Sequence, residues 1–355
     1  MKTSIDGKAL VYADGAFNTP NGKTAHGLVR FTERYEIVGV IDRRYAGQDA
    51  GIVLDNRSFD IPIFNDLKEA LEQLGKNNIP KTLVIGLATD GGRLPDEAKQ
   101  TIRMALEKGL NIDSGLHDFL FKDTELMTIA EKNNCRVRDI RKTPDRDDLH
   151  FFTGKIEKVD CLKIALLGTD SAIGKRTTAW IVVQTFRKSG MKAEIVGTGQ
   201  TAWMQGAKYS MIMDSCINDF VSGEIEHAVY EAWKNESPDL IVIEGQGSLM
   251  NPAYPGGFEI LAAGRPDYVI LQHAPKRIEY DGFPGYILHP LKEQINAIEI
   301  ISGKKVIAIT VNHEEMEKNE IIDACIKITA ETGIPAFDVL EYGADKLVEL
   351  IKSYL

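Results

Sequence analysis

Residues 163–180 read Lys-Ile-Ala-Leu-Leu-Gly168-Thr169-Asp170-Ser171-Ala-Ile-Gly174-Lys175-Arg176-Thr177-Thr178-Ala-Trp: an apolar run, a loop bounded by two glycines, then helix-forming residues. Glycine admits backbone angles closed to other residues, so successive N–H groups can turn inward around an anion. A helix beginning at the loop's end aims its unpaired N–H groups, with about half a positive charge, at the same point. Lys175 adds a mobile ammonium and Arg176 a permanent guanidinium with bidentate reach. Phosphate binding is the expected chemistry. In the pattern G-x-x-x-x-G-K-[ST] the residue after lysine gives a hydroxyl to Mg2+, but here it is Arg176, which cannot ligate a metal. Thr177 could substitute only if the helix began one residue later. The loop therefore suits a static phosphate or pyrophosphate better than a metal-bridged leaving group.

Other candidates stand where apolar runs end, the position at which parallel sheets present residues to ligands. Leu-Ile-Val-Ile-Glu244-Gly-Gln-Gly-Ser offers a carboxylate as general base, as metal ligand, or as a cap on loop N–H groups. Tyr-Val-Ile-Leu-Gln-His273 and Val-Ile-Ala-Ile-Thr-Val-Asn312-His end alike: His273 could shuttle a proton or simply be hydrogen-bonded, and Asn312 could read a nucleobase edge. Arg277, in a Gly/Pro-containing stretch, suits an acidic substrate's carboxylate or is a solvated charge. Residues 197–206 and Met213-Asp214-Ser215 lie where nucleotide-sensing segments lie in related topologies, although Gln200, Trp203 and Gln205 could equally be packing. A second Gly22-Lys23-Thr24 follows the first apolar run. Its glycine spacing is one residue longer and Pro20 removes an N–H, so a strand-to-helix connection competes with a second anion site.

These residues need a scaffold, and the chain supplies β-rich runs alternating with amphipathic ones over its whole length, the pattern of parallel strands joined by crossover helices. The first half predicts strands at 9–13, 37–41, 82–87, 111–113 and 136–140, with helices at 65–75, 96–108 and 124–133. Asp42 ends its strand about where a dinucleotide-binding acid would sit, yet no G-x-G-x-x-G precedes it. The second half predicts strands at 163–167, 192–196, 240–244, 268–272 and 305–311, with helices at 176–189, 223–234, 292–301 and 343–353. Residues 251–257 and 280–290 read as ordered loops at strand ends. Between them the halves lose periodicity in a charge-dense stretch, 141–160, which places two α/β domains at 1–150 and 151–355.

The 355 residues carry 42 Lys+Arg against 52 Asp+Glu, a net charge of −10, with no Lys/Arg run longer than a pair, which argues against sequence-independent nucleic-acid binding while leaving room for a local basic pocket. Four dispersed cysteines without metal-ligand spacing read as reduced thiols, and no window approaches ~18 uninterrupted apolar residues. A cytoplasmic protein without a membrane span is expected, with a small-molecule substrate and further copies of itself as partners.

Taken together, Gly168-Thr-Asp-Ser-Ala-Ile-Gly-Lys-Arg-Thr-Thr-Ala, Glu244-Gly-Gln-Gly-Ser-Leu-Met-Asn-Pro-Ala-Tyr, Ser114-Gly-Leu-His and Asp139-Ile-Arg resemble a two-domain family whose characterised members are D-glutamate N-acetyltransferases. The resemblance spans both halves. It implies a Rossmann-like N-terminal domain, a P-loop C-terminal domain, acetyl-CoA as donor and a D-amino acid as acceptor. Coenzyme A carries a pyrophosphate and a 3′-phosphate, which suits a glycine loop with extra positive charge and no Mg2+ hydroxyl. On that reading Gly168, Thr169, Asp170, Ser171, Gly174, Lys175, Arg176, Thr177, Thr178 and Asn312 hold the cofactor. Glu244, Asp214 or His273 is the base, Arg277 takes the substrate carboxylate, and no metal is bound. Gly-Thr-Asp-x-x-x-Gly-Lys with a strand-end Glu-Gly-x-Gly also resembles, more distantly, dethiobiotin-synthetase-like proteins, in which Asp170 and Glu244 would face Mg-ATP. A ligase or kinase of that kind, and a nucleotide-binding regulator without chemistry, are the alternatives.

Overall fold

The apolar runs form thirteen strands among the described residues, 5–355 of the computed structural model, and the chain divides into two compact units. One runs to Thr143 and takes in Gln200–Ala207; the other is Pro144–Gly199 with Lys208–Leu355. The excursion at 200–207 has no counterpart in the expected division at residue 150.

In the first unit the order is β1 (Lys8–Tyr12), α1 (Lys23–Arg30), β2 (Glu36–Ile41), α2 (Ala50–Asp55), β3 (Ile63–Phe64), α3 (Leu67–Gln73), β4 (Thr82–Ile85), α4 (Asp96–Glu107), β5 (Asn111–Ser114), α5 (Thr124–Lys132) and β6 (Val137–Asp139). All strand pairs are parallel, in the order β3-β2-β1-β4-β5-β6, with apolar clusters packed on the sheet. This is the doubly wound arrangement of dinucleotide-binding domains. Asp42, however, is fully buried and accepts from the Phe17 N–H (2.9 Å) and the Arg44 Nη2 (2.7 Å), so it pins its own loop rather than facing a ribose. Burial works against its ionised form, but these bonds hold its carboxyl below the ordinary range.

Gly22-Lys23-Thr24 is a strand-to-helix connection. The amides of Ala16, Thr19 and Gly22 all donate to carbonyls of their own turns, and the Thr24 hydroxyl meets that of Thr201 at 3.1 Å. Residues 200–207 complete this unit. Gln205 Nε2 donates to the carbonyls of Gly27 and Phe31 (2.8 Å each), and the Arg34 guanidinium lies 3.7 Å over the Trp203 ring. For Trp203 and Gln205, packing is what the structure displays.

The second unit continues with β7 (Leu162–Gly168), α6 (Lys175–Lys188), β8 (Ala193–Gly197), β9 (Tyr209–Ser210), α8 (Asn218–Glu236), β10 (Leu240–Glu244), α9 (Phe258–Ala263), β11 (Tyr268–His273), α10 (Leu291–Ser302), β12 (Val306–Val311), α11 (Lys318–Thr332), β13 (Ala336–Phe337), α12 (Val339–Tyr342) and α13 (Asp345–Lys352); α7 (Gln200–Met204) is the helix given to the first unit. Its seven strands are parallel in the order β13-β12-β11-β7-β10-β8-β9. β7 lies in the middle, buried along its whole length, so the glycine loop emerges at the centre of the sheet's C-terminal edge. The charge-dense stretch expected to separate the halves is partly docked: Glu226, on α8 and almost fully buried, accepts from the N–H groups of Thr153 and Ile156. Among the described residues no helix is long and apolar enough to cross a membrane.

Candidate functional site

The glycine loop leaves β7 at Gly168 and ends at Gly174, the N-cap of α6, whose φ of +94° is left-handed. Ala172 is also left-handed, at φ +51°, an unfavourable angle for a residue with a Cβ. Among the described residues, no acceptor takes the N–H groups of Ala172, Ile173 and Gly174. Three consecutive amides without an acceptor, the first and last on left-handed residues, stand together at a helix N-terminus, a geometry that suits an anion. Gly168 is needed for a different reason from the one expected. Its φ is not left-handed, but a Cβ there would meet Lys175 Cδ at 2.8 Å and Ile173 Cδ1 at 2.9 Å.

Lys175 is the first residue of α6 and is buried, donating from Nζ to the carbonyls of Asp170 (2.6 Å) and Gly247 (2.8 Å). These carbonyls hold the ammonium in the loop's mouth. Because the helix begins at Lys175, the condition under which Thr177 could supply a metal hydroxyl is not met. The Thr178 hydroxyl turns to the sheet and donates to Gln272 Oε1 (2.6 Å), which also accepts from Thr310. Thr178 therefore braces the helix and its hydroxyl is not turned to a ligand. The Thr169 hydroxyl meets His273 Nδ1 at 3.0 Å, and the Ser171 hydroxyl donates to Asp281 Oδ2 at 3.2 Å.

Asp170 is the hub of the edge. Fully buried, it accepts from the Ser171 N–H (2.7 Å) and Asn251 Nδ2 (2.8 Å) on one oxygen, and from Arg277 Nη1 (2.9 Å) and the Asp281 N–H (2.8 Å) on the other. One carboxylate thus ties together the glycine loop, the loop after β10 and the loop after β11. Asp170 has no oxygen to spare for a metal without dismantling these bonds. Arg277 is similarly committed: Nε and Nη2 form a bidentate pair with Glu314 (2.6 and 2.7 Å), and Nη1 also donates to the Ser171 carbonyl (2.8 Å). Its guanidinium braces the loop and is not presented to a substrate carboxylate. Asn312 likewise spends its amide on the chain, donating to the Ile173 carbonyl at 3.0 Å and accepting from the Glu314 N–H.

Of the three candidate bases, two lie with the loop: His273, which meets Thr169, and Glu244. Glu244 is buried at the end of β10, accepts from the Thr198 N–H at 2.9 Å, and feels the charges of Arg176 and Lys175. Burial nevertheless raises its pKa, since desolvation outweighs those cations and N–H groups. Such a carboxylate accepts protons more readily than an exposed one. Asp214 sits exposed in a short helical turn, Met213–Ser215. His273 is pushed down to about 4 by burial. It is therefore neutral near pH 7, able to accept a hydrogen bond but carrying no proton to shuttle as an imidazolium.

The depressed His273 value makes a stability prediction. The unfolded chain binds this proton near pH 6.5 and the folded one only near 4, so the contribution is present above ~6.5 and is lost as pH falls through ~4. The loss is about 3 kcal/mol at the full shift. Melting temperatures between pH 7 and 4.5 should fall more steeply for the wild type than for His273→Gln; parallel curves would contradict the assignment.

Asn251, Asp281, Gln272 and Glu314 were not singled out from the sequence, though Asn251 stands inside the Glu244-Gly-Gln-Gly-Ser-Leu-Met-Asn motif. Among the described residues no group of three or more His, Cys, Asp or Glu side chains is placed to hold a metal ion.

A parallel sheet whose central strand feeds a phosphate-type glycine loop, in a chain that also folds a Rossmann-like sheet, defines a two-domain α/β protein with a P-loop C-terminal half. The chain belongs to the DUF1611 family. Residues 150–348 match its C-terminal P-loop domain of unknown function and residues 43–143 its N-terminal Rossmann-like domain of unknown function. A curated protein named D-glutamate N-acetyltransferase, from Tritonibacter scottomollicae, is 31% identical over 283 residues, covering 77% of this chain and 81% of that one. Another of the same name, from a Pseudoalteromonas species, is 31% identical over 278 residues, covering 76% and 80%. The crystal structure of a DUF1611 family protein from Anabaena variabilis superposes with a TM-score of 0.88 at 28% identity, covering 98% of this chain and 99% of that one.

Proposed function

We propose that this chain is an N-acetyltransferase that moves the acetyl group of acetyl-CoA to the amino group of a D-amino acid, with D-glutamate the first acceptor to try. The observation that carries the donor is the trio of unspent amides at 172–174, followed by Lys175-Arg176 in place of a lysine and a hydroxyl. The acceptor rests on the names of the two curated relatives.

The residues present fit a pyrophosphate. The amides of Ala172, Ile173 and Gly174 would cradle it, Lys175 would exchange its carbonyl partners for phosphate oxygens, and Arg176 would add charge. Acetyl-CoA supplies an acyl group activated as a thioester. Glu244, with its raised pKa, takes one proton from the substrate ammonium. As the N–C bond forms the C–S bond breaks, and the amine's second proton passes to the departing sulfur. Arg277 and Asp170 act by holding the three loops, not by touching the reacting atoms.

Purified protein given acetyl-CoA and D-glutamate, without ATP or Mg2+, should release free thiol and form the N-acetyl product. No release with any D-amino acid would sink the proposal. The Mg-ATP ligase alternative requires loss of activity with EDTA and formation of ADP, and it must find metal ligands other than the fully engaged Asp170.

A further inference from the structure

Strand β8 runs beside β10 in a parallel ladder, with Val196 opposite Ile243. In such a ladder the bonds are evenly spaced, alternate residues of one strand exchanging N–H and carbonyl groups with the next. The Leu240 N–H donates to the Lys192 carbonyl, so the even-numbered residues of β10 face β8. Just past the end of β8, that phase calls for the Thr198 N–H to donate to the Glu244 carbonyl. It goes elsewhere. The N–H donates to Glu244 Oε2 at 2.9 Å, and the Thr198 hydroxyl takes its place on the Glu244 carbonyl at 3.0 Å. The Gly199 N–H also donates to that carboxylate, and the charges that face it are those of Arg176 and Lys175 on α6. Thr198 is fully buried, and its own carbonyl accepts from the Met213 N–H at 3.0 Å, which fixes the residue from its other side.

Resting on the reading of Glu244 as the base in acetyl transfer, we propose that Thr198 is a positioning residue: its hydroxyl occupies the Glu244 carbonyl and so turns a ladder N–H over to the carboxylate that takes the proton. A buried carbonyl needs a donor. Without the hydroxyl, the Thr198 N–H is the donor that the ladder itself brings to that carbonyl, and the carboxylate loses it. The loss has two effects. A bond that favours the ionised form is gone, so the carboxyl's pKa rises. The side chain is also released from the geometry in which it meets the amine, which lowers the rate at saturation. Cofactor binding at residues 172–175 is left as it was, since Thr198 makes no hydrogen bond to them among the described residues.

Glu244 must be ionised to accept a proton, so the rate falls as pH drops through its pKa, and the pH profile of kcat/KM in thiol-release assays reads the effect. In Thr198→Val, which keeps the shape and removes the hydroxyl, the acidic limb should move up by about one pH unit. Its plateau kcat should fall about tenfold, with KM for acetyl-CoA within about twofold of wild type. Thr198→Ser, which restores the hydroxyl, should return the limb to its wild-type position. Thr198→Ala takes the place of the valine variant if that one fails to fold. A limb that stays put in a folded variant lacking the hydroxyl, or that moves as far in Thr198→Ser, overturns the role of Thr198 and leaves the acetyltransferase reading intact. A Glu244→Gln enzyme that transfers acetyl groups as fast as wild type overturns the assignment of the base, and the role of Thr198 with it.

Discussion

Lys175→Ala should lower kcat/KM for acetyl transfer by about 10^2–10^3, the scale of removing one preorganised charged donor from an enclosed anion site. The side chain is buried at the first turn of α6, and its ammonium is already held by two carbonyls in the mouth of the loop, so little ordering remains when a phosphate arrives. Arginine should not rescue it. The Asp170 and Gly247 carbonyls converge on a compact ammonium, and a planar guanidinium has a different shape and different donor directions. Calorimetric titration of CoA into the variant checks the cause, since binding should weaken along with turnover. Wild-type binding and rate in Lys175→Ala would remove the glycine loop from the mechanism.

The second large effect is expected at Asp170. Asp170→Asn keeps the shape but gives one side of the group an NH2 facing donors, so a buried arrangement of four N–H groups around one carboxylate cannot be satisfied. A loss of about 3 kcal/mol follows from breaking a buried charge-paired network on one side. In a unit of this size that lowers the melting temperature by roughly 6–12 °C. Acetyl transfer should fall with it even well below the melting temperature, because the three loops lose their common anchor. A variant that melts and turns over like wild type would mean that Asp170 is dispensable to both.

Much of this was legible in the sequence, for identifiable reasons. The long strands read correctly because sheets covered on both faces need continuous β-branched runs such as Leu-Ile-Val-Ile before Glu244. The glycine loop read correctly because its order of strand, loop and helix is local. Helix α11 was missed: Lys-Asn-Glu-Ile-Ile-Asp-Ala-Cys-Ile-Lys-Ile-Thr-Ala-Glu-Thr is dense in isoleucine and threonine, and Ile322 and Ile326 are exposed, which blurs its apolar stripe. The two-residue strands β3, β9 and β13 exist only by pairing with a neighbour, so no window of sequence betrays them. At the site, residue type suggested what each side chain could do, but its partner decided what it does. Arg277 reads as a carboxylate binder and does bind carboxylates, those of Glu314 and Asp170. Such pairings join residues 37 and 107 positions apart, a distance over which no local pattern is informative.

The excursion of Gln200–Ala207 bears on how this polypeptide can be dissected. A fragment ending at Thr143 would lack Thr201, Trp203, Met204 and Gln205, leaving the Gly27 and Phe31 carbonyls and the Arg34 face without the groups that cover them. No single scission releases the N-terminal half whole. Splitting the gene for separate expression calls for grafting that octapeptide onto the shorter piece.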